Sequence, residues 1–252
     1  MLHFFKRLFA AKLHFSERLS KRIQHFSAYF IIYGYLSAEE PFLRLILDGT
    51  VISTRLIGAY NAANVLAAIA VGDYFGIPRE ESIAAVESFV PDNERSEMRR
   101  TQKNALIVDA YNANPTSMAA ALDNFERMLG GGEGRPGLAH LSEKRELGAD
   151  SLREHAGLLR RLLASEDIPC VMLVGQEFLK ALDECGLEYE VVDEEGKVAA
   201  KNSRSGEGNS PFVWAPTSEA LLKYLRAHSV EGRLVLIKGS RSTQMEKVIP
   251  AL

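Results

Sequence analysis

From Ala105 onward the sequence repeats one device: a short apolar run, a stretch of helical length, then another apolar run. The runs are Ala105-Leu-Ile-Val-Asp109, Cys170-Val-Met-Leu-Val174, Tyr189-Glu-Val-Val192, Phe212-Val-Trp214 and Leu234-Val-Leu-Ile237. Helices are expected over 115–129, 151–164, 176–184 and 218–227. A strand buried on both faces has no reason to alternate polar and apolar residues, and a helix between two strands returns the chain to run parallel. The expectation is an α/β fold with a doubly wound, mainly parallel sheet. In such sheets ligands bind beyond the carboxyl ends of the strands, which directs attention to the residues that close each run.

The preceding text is different. Phe42-Leu-Arg-Leu-Ile-Leu47, Asp48-Gly49 and Val51-Ile-Ser-Thr-Arg-Leu-Ile57 read as a β-hairpin with Asp-Gly as its turn. Asn61 to Phe75 is alanine-rich and apolar almost all round, so it reads as a buried helix; Gly76-Ile-Pro78 ends it and Arg79 to Phe89 forms another. Pro91-Asp92-Asn93 is the expected linker. Domains are therefore expected at 1–40, 41–92 and 93–252. Gly130–Gly134 and the polar 202–210 stretch read as loops.

Residues 1–30 carry six basic side chains and one acid, and hold six of the twelve Phe and three of the six His. Leu2, Phe5, Phe9, Leu13, Leu19, Ile23 and Phe26 recur mostly at steps of three or four, a helical stripe beside basic residues. No apolar run approaches the roughly 20 residues of a spanning helix, and charges interrupt any signal-peptide centre. A helix on an anionic membrane surface, a transit-like segment, a helix docked on a partner and a plain extension all fit; the last two are the simpler readings. The whole chain has a net charge of −3, which argues against nucleic acid. Two cysteines give no disulfide framework and point to a reducing, cytoplasmic setting.

Chemistry concentrates at strand ends. Asp109-Ala-Tyr-Asn-Ala-Asn-Pro115-Thr-Ser-Met118 closes a strand on a carboxylate and opens a helix with Pro115, so Asp109, Asn112 and Asn114 stand beside free helix N–H groups. Capping by Asn114 and a turn held by Asn112 explain the same residues without a ligand. Lys238-Gly-Ser-Arg241 closes another strand, and Arg241 suits a carboxylate as readily as solvent. Arg95 sits in the linker, facing a ligand or water. Asn61 and Asn64, three apart on one helix face, need partners that either local capping or an adenine edge supplies. There is no G-x-x-x-x-G-K-[ST], no G-x-G-x-x-G after a strand and no G-x-S-x-G. His140 and His155 form no metal-ligand pattern, and Cys170 reads as core.

Taken in order, Leu56-Ile-Gly-Ala-Tyr-Asn-Ala-Ala-Asn64, Asn93-Glu-Arg-Ser96, Asp109 to Met118, Glu146-Leu-Gly-Ala-Asp-Ser151 through His155, and Lys238-Gly-Ser-Arg241 with Met245-Glu246 resemble the UDP-N-acetylmuramoyl-tripeptide–D-alanyl-D-alanine ligases of the Mur ligase family. The resemblance covers about residues 41–252. It implies an ATP-dependent peptide ligase of bacterial peptidoglycan synthesis, in which a carboxylate is activated as an acyl phosphate and attacked by an amine. It also implies that 41–92 end the family's central ATPase domain and that 93–252 are its Rossmann-like C-terminal domain. Asn61 and Asn64 match positions that meet adenine, and Arg95 and Asp109 match those that reach ATP phosphate and ribose. Asn112, Asn114, Ser240 and Arg241 are candidates for placing D-alanyl-D-alanine.

The chain departs from the family's pattern. The UDP-binding domain, the P-loop lysine and the magnesium ligands have no counterpart in the sequence, so no catalytic residue or metal ligand is expected on this chain. Leu138-Ala-His-Leu-Ser-Glu-Lys144 stands where the family has a strand ending in Gly-Asp-Met, and a weakened strand is expected there. Glu97 stands for the common Gln. The chain is thus expected to need ATP and magnesium bound elsewhere, and to ligate only if a separate chain supplies the missing domains. The rival reading is a non-catalytic binding or scaffold module carried to a membrane by residues 1–30.

Overall fold

The structure, a computed structural model, describes residues 30–33, 42–91, 96–130, 136–143, 145–202 and 210–252. They form two compact units, divided between Val90 and Pro91. Arg95, the 130s glycine loop from 131 and the basic segment 1–29 lie outside the described residues.

In the N-terminal unit, β1 (Phe30–Tyr33), β2 (Phe42–Leu47) and β3 (Thr50–Ile57) make an antiparallel sheet in that order. Asp48 and Gly49 both take positive φ, 49° and 82°, as a two-residue hairpin turn between right-twisted strands demands. Alternation then sends Leu43, Leu45, Leu47 and Ile52 to one face, onto Val65, Leu66 and Ile69 of α1 (Ala62–Tyr74). The expected full burial of this helix is not found: Ala63, Asn64, Ala68 and Tyr74 are exposed. Alanine is apolar but small, so its face tolerates water and does not report burial. Gly72 lets α2 (Arg79–Ser88) approach closely, since a Cβ there would stand 2.2 Å from Ser82 Oγ.

The C-terminal unit is built on an eight-stranded sheet. Its strands are β4 (Glu97–Arg100), β5 (Ala105–Asp109), β6 (Gly137–Ser142), β7 (Cys170–Val174), β8 (Tyr189–Val192), β9 (Val198–Asn202), β10 (Phe212–Ala215) and β11 (Leu234–Lys238), in the order β4-β5-β11-β6-β7-β10-β8-β9. The six inner strands are parallel and the two edges antiparallel. The crossover helices are α3 (Pro115–Gly130), α4 (Ser151–Leu163), α5 (Gln176–Cys185) and α6 (Ser218–Ala227). Among the described residues no helix is long and apolar enough to cross a membrane.

The 138–144 stretch expected to be weak is instead a fully formed inner strand. All six residues of β6 are buried between β11 and β7, His140 and Ser142 included. The two flanking strands pair with it along its length, which outweighs the polar side chains. The edges β4 and β9 were not expected, because a four-residue Glu-Met-Arg-Arg strand carries no apolar signal.

His140 is 0% exposed and neither ring nitrogen has a hydrogen-bond partner among the described residues. Burial therefore pushes its imidazolium pKa down from 6.5 to about 3. Below pH 6.5 the unfolded chain takes up this proton while the folded chain does not, so stability falls as the pH drops from about 6.5 towards 3. The slope from this residue reaches about 1.4 kcal/mol per pH unit. Urea denaturation across that range is expected to show the loss, and His140→Leu to remove it.

Candidate functional site

The parallel inner strands all end at one edge of the sheet, and the candidate residues of this unit gather there. Lys238, the last residue of β11, lies in register with Asp109 of β5 on one side and Leu141 of β6 on the other. Its side chain is 1% exposed, so its charge must be met inside the protein. Nζ donates to Asp109 Oδ2 at 2.8 Å and to the carbonyl oxygen of Asn112. One ammonium thus ties the carboxylate that closes β5 to the backbone of the loop that follows it.

That loop leads into α3. Asn114 Oδ1 accepts from Ser117 N–H at 2.7 Å, a helix cap, and its Nδ2 has no partner among the described residues. The Asn112 side chain is exposed while its carbonyl is held by Lys238. Across the edge, Gly239 N–H donates to the Asp109 carbonyl at 3.3 Å, and Ser240 N–H donates to Ser142 Oγ at 3.2 Å. Thr243 Oγ1 lies 2.7 Å from the same oxygen. A Cβ on Gly239 would stand 2.5 Å from Ser142 Oγ, so this junction accepts only glycine without rearrangement. The loop presents Ser240 Oγ, 2.8 Å from Ser242 Oγ, and Arg241, whose guanidinium lies 5.7 Å over the Tyr111 ring. Arg241 is exposed and makes no ion pair among the described residues. An arginine stacked on a tyrosine and left without a counter-ion is disposed to receive a carboxylate or phosphate.

Beside these loops is a cavity of about 320 Å³, lined in part by Ala113, Met118, Ser142, His155 and Phe178, with Arg153 and Glu154 at its wall. His155 Nδ1–H donates to the Ser151 carbonyl at 2.7 Å, and the ring meets Phe178 edge to face at 4.7 Å. Ser151 Oγ donates to Glu177 Oε2 at 2.5 Å. Lys180, and after it this hydroxyl, hold the Glu177 carboxyl below the usual carboxylate range. Glu143, 2% exposed, accepts from Glu177 N–H at 2.7 Å. It occupies the space left by Gly175, whose φ of 111° and missing Cβ are both required. Burial raises the Cys170 thiol, which makes it a poor nucleophile.

The structure therefore brings together Asp109, Asn112, Asn114, Ser240 and Arg241. Asn61 and Asn64 belong to the other unit. Asn61 stands at the N-cap position of α1 but does not cap it. Its Nδ2 donates to the Ile57 carbonyl at 2.7 Å, and its Oδ1 accepts from Asn64 Nδ2 at 2.9 Å. Both its amide groups are thus used internally, and Asn64 is the exposed member of the pair. The residue missed in the sequence is Lys238, read there as a flank of a basic turn. A lysine closing a wholly apolar strand was the available signal, since a buried ammonium needs a carboxylate.

The family model for the Mur ligase, glutamate ligase domain, matches residues 94–241. The UDP-N-acetylmuramoyl-tripeptide–D-alanyl-D-alanine ligase of Treponema pallidum is 32% identical over 212 residues, 83% of this chain and 40% of that protein. The ligase of the same name from Bacillus subtilis is 27% identical over 199 residues, 78% of this chain and 38% of its own length. The chain thus spans about two fifths of the curated relatives it matches. Among solved structures, MurF from Acinetobacter baumannii superposes with a TM-score of 0.64 at 24% identity, over 87% of this chain and 43% of that one. MurF from Thermotoga maritima, solved with ADP, gives 0.61 at 17% identity, over 88% and 45%. These likenesses show the fold.

Removing the Lys238 ammonium leaves the Asp109 carboxylate without its partner at the sheet edge. Lys238→Met is expected to cost roughly 3–5 kcal/mol of unfolding free energy. In urea denaturation, Lys238→Met with Asp109→Asn should cost clearly less than the sum of the two single changes.

Proposed function

The chain belongs to the Mur ligase family, and we propose that it is the acceptor-binding part of a ligase that adds D-alanyl-D-alanine to UDP-N-acetylmuramoyl-tripeptide in peptidoglycan precursor synthesis. The reading is carried by one observation. Arg241 without an ion pair, the Asn112 side chain and the open Nδ2 of Asn114 converge on one sheet edge beside a cavity. A dipeptide zwitterion needs this equipment: a cation for its carboxylate, amides for its peptide group and apolar walls for two methyl side chains. Arg241 takes the carboxylate, and Asn112, Asn114 and Ser240 orient the rest.

ATP, when bound with magnesium, supplies the phosphoryl group that activates the tripeptide carboxylate. Toward that nucleotide, Asn64 offers its exposed Oδ1 to an adenine amino group, and Asn61 holds Asn64 in place. Asp109, with one oxygen fixed by Lys238, turns the other to a ribose hydroxyl, and Arg95 reaches phosphate. Among the described residues no group of three or more His, Cys, Asp or Glu side chains converges on a metal. With no P-loop motif in the sequence, these 252 residues do not activate the carboxylate alone. On this reading the P-loop and metal ligands that complete the reaction, in the cytoplasm, come from outside these 252 residues, in the same polypeptide or in a complementing fragment, and the present residues contribute the acceptor side.

Calorimetry should detect D-alanyl-D-alanine binding to the full chain, weakened about tenfold or more in Arg241→Ala. With the UDP-linked tripeptide, ATP and magnesium, the chain by itself should release no phosphate, and adding a P-loop-bearing fragment of a relative should restore ligation. Phosphate release by the chain alone, or dipeptide binding indifferent to Arg241→Ala, would overturn the reading.

A further inference from the structure

Ser142 is a buried hydroxyl at the end of a strand whose other residues are mostly apolar. It closes β6 after Leu138, Ala139, His140 and Leu141, and it is 1% exposed. A serine so buried costs stability unless its oxygen is bonded. Its bonds all go to one place. Ser240 N–H donates to Oγ at 3.2 Å, and Thr243 Oγ1 lies 2.7 Å from it. Thr243 Oγ1 is also 2.7 Å from the Ser240 carbonyl oxygen, to which Thr243 N–H donates at 3.0 Å. Ser142 thus grips both ends of the turn from Ser240 to Thr243, and Arg241 lies between the two grips. Gly239 leaves the room for this hydroxyl, since a Cβ there would stand 2.5 Å from it.

What the grip does for Arg241 follows from entropy. An exposed arginine on a free loop loses loop and rotamer freedom when it takes an anion, and that loss weakens binding. Here the turn is pinned by Ser142, and the loop facing it is pinned by Lys238 through the Asn112 carbonyl. Tyr111, over whose ring the guanidinium lies at 5.7 Å, belongs to that second loop. The arginine is therefore presented in a set place before any ligand arrives. Ser142 also forms part of the cavity wall, so the cation and the apolar walls are held to one common residue.

We propose that Ser142 is the positioning residue of the acceptor site: its hydroxyl holds the Arg241 turn in place, and so sets a preference for an acceptor with a free carboxylate over the same acceptor as an amide. The inference rests on the reading of this edge as the dipeptide site, and it adds a residue that acts through Arg241.

Two variants of the full chain test it. Ser142→Ala removes the hydroxyl at nearly constant volume, and Thr243→Val removes its partner. The first readout needs no ligand. Hydrogen exchange of the Ser240 amide, followed by NMR, should be roughly fivefold faster in Ser142→Ala, while the Ile237 amide inside β11 exchanges as in the wild type. The second readout is calorimetry with D-alanyl-D-alanine and with its C-terminal amide. Ser142→Ala should bind the free acid roughly fivefold more weakly and the amide as the wild type does. Thr243→Val should move both readouts in the same direction. Equal loss for acid and amide would mark a general packing defect and overturn the proposal, and so would unchanged Ser240 exchange in both variants. A wild type that binds neither ligand would sink the ligase reading and the acceptor preference with it, whereas a faster Ser240 amide in Ser142→Ala would still show this hydroxyl holding the turn.

Discussion

A buried ammonium organises the carboxyl edge of the C-terminal unit. Lys238 ends the strand that sits between β5 and β6, and burial obliges it to find an anion and a carbonyl. Asp109 and the Asn112 backbone are what it finds. Every other arrangement at the edge follows from that fixed point: the loop entering α3 is held at both ends, Gly239 packs on Ser142, and Arg241 is turned outward over Tyr111. Desolvating a lysine is costly, so the pair adds little net stability. What it supplies is position, because it ties the end of β11 to the carboxylate of β5 and to the loop that follows.

The fold was legible where burial and periodicity agree. The five apolar runs are strands and the amphipathic stretches between them are helices, because a run buried on both faces has few alternatives. Legibility failed where neighbours decide. β6 carries a histidine and two serine- or glycine-type ends, and it is a strand because β11 and β7 flank it. β4 is mostly charged and the described face of β9 is exposed, and each gains its order from a single neighbour. The exposed alanines of α1 mark the opposite error, in which composition suggested a burial that small side chains do not require.

The candidate site was legible in part for the same reason. Strand ends of a parallel sheet can be read off a sequence, so Asp109, Asn112, Asn114, Ser240 and Arg241 were within reach. Their division of labour was not. Whether Asn114 caps a helix or faces a ligand depends on which of its two amide atoms is engaged, and the answer is the oxygen. Asn61 and Asn64 look equivalent in sequence, yet one is fully used and the other open. Glu143 shows how far such dependence reaches, since its seat exists only because residue 175 lacks a side chain.

The strand order also dictates when the edge can come into being. Of the strands of this sheet β11 is made after all the others, yet it lies between two made much earlier, and Lys238 and Asp109 are 129 residues apart in the chain. As the polypeptide leaves the ribosome, β5 and β6 must wait with a strand-wide vacancy between them. Their facing edges stay open to water and to other chains until β11 emerges. Growth of the sheet is therefore completed from its middle, and the pairing that assembles the candidate loops waits for the strand that follows all the others in the chain.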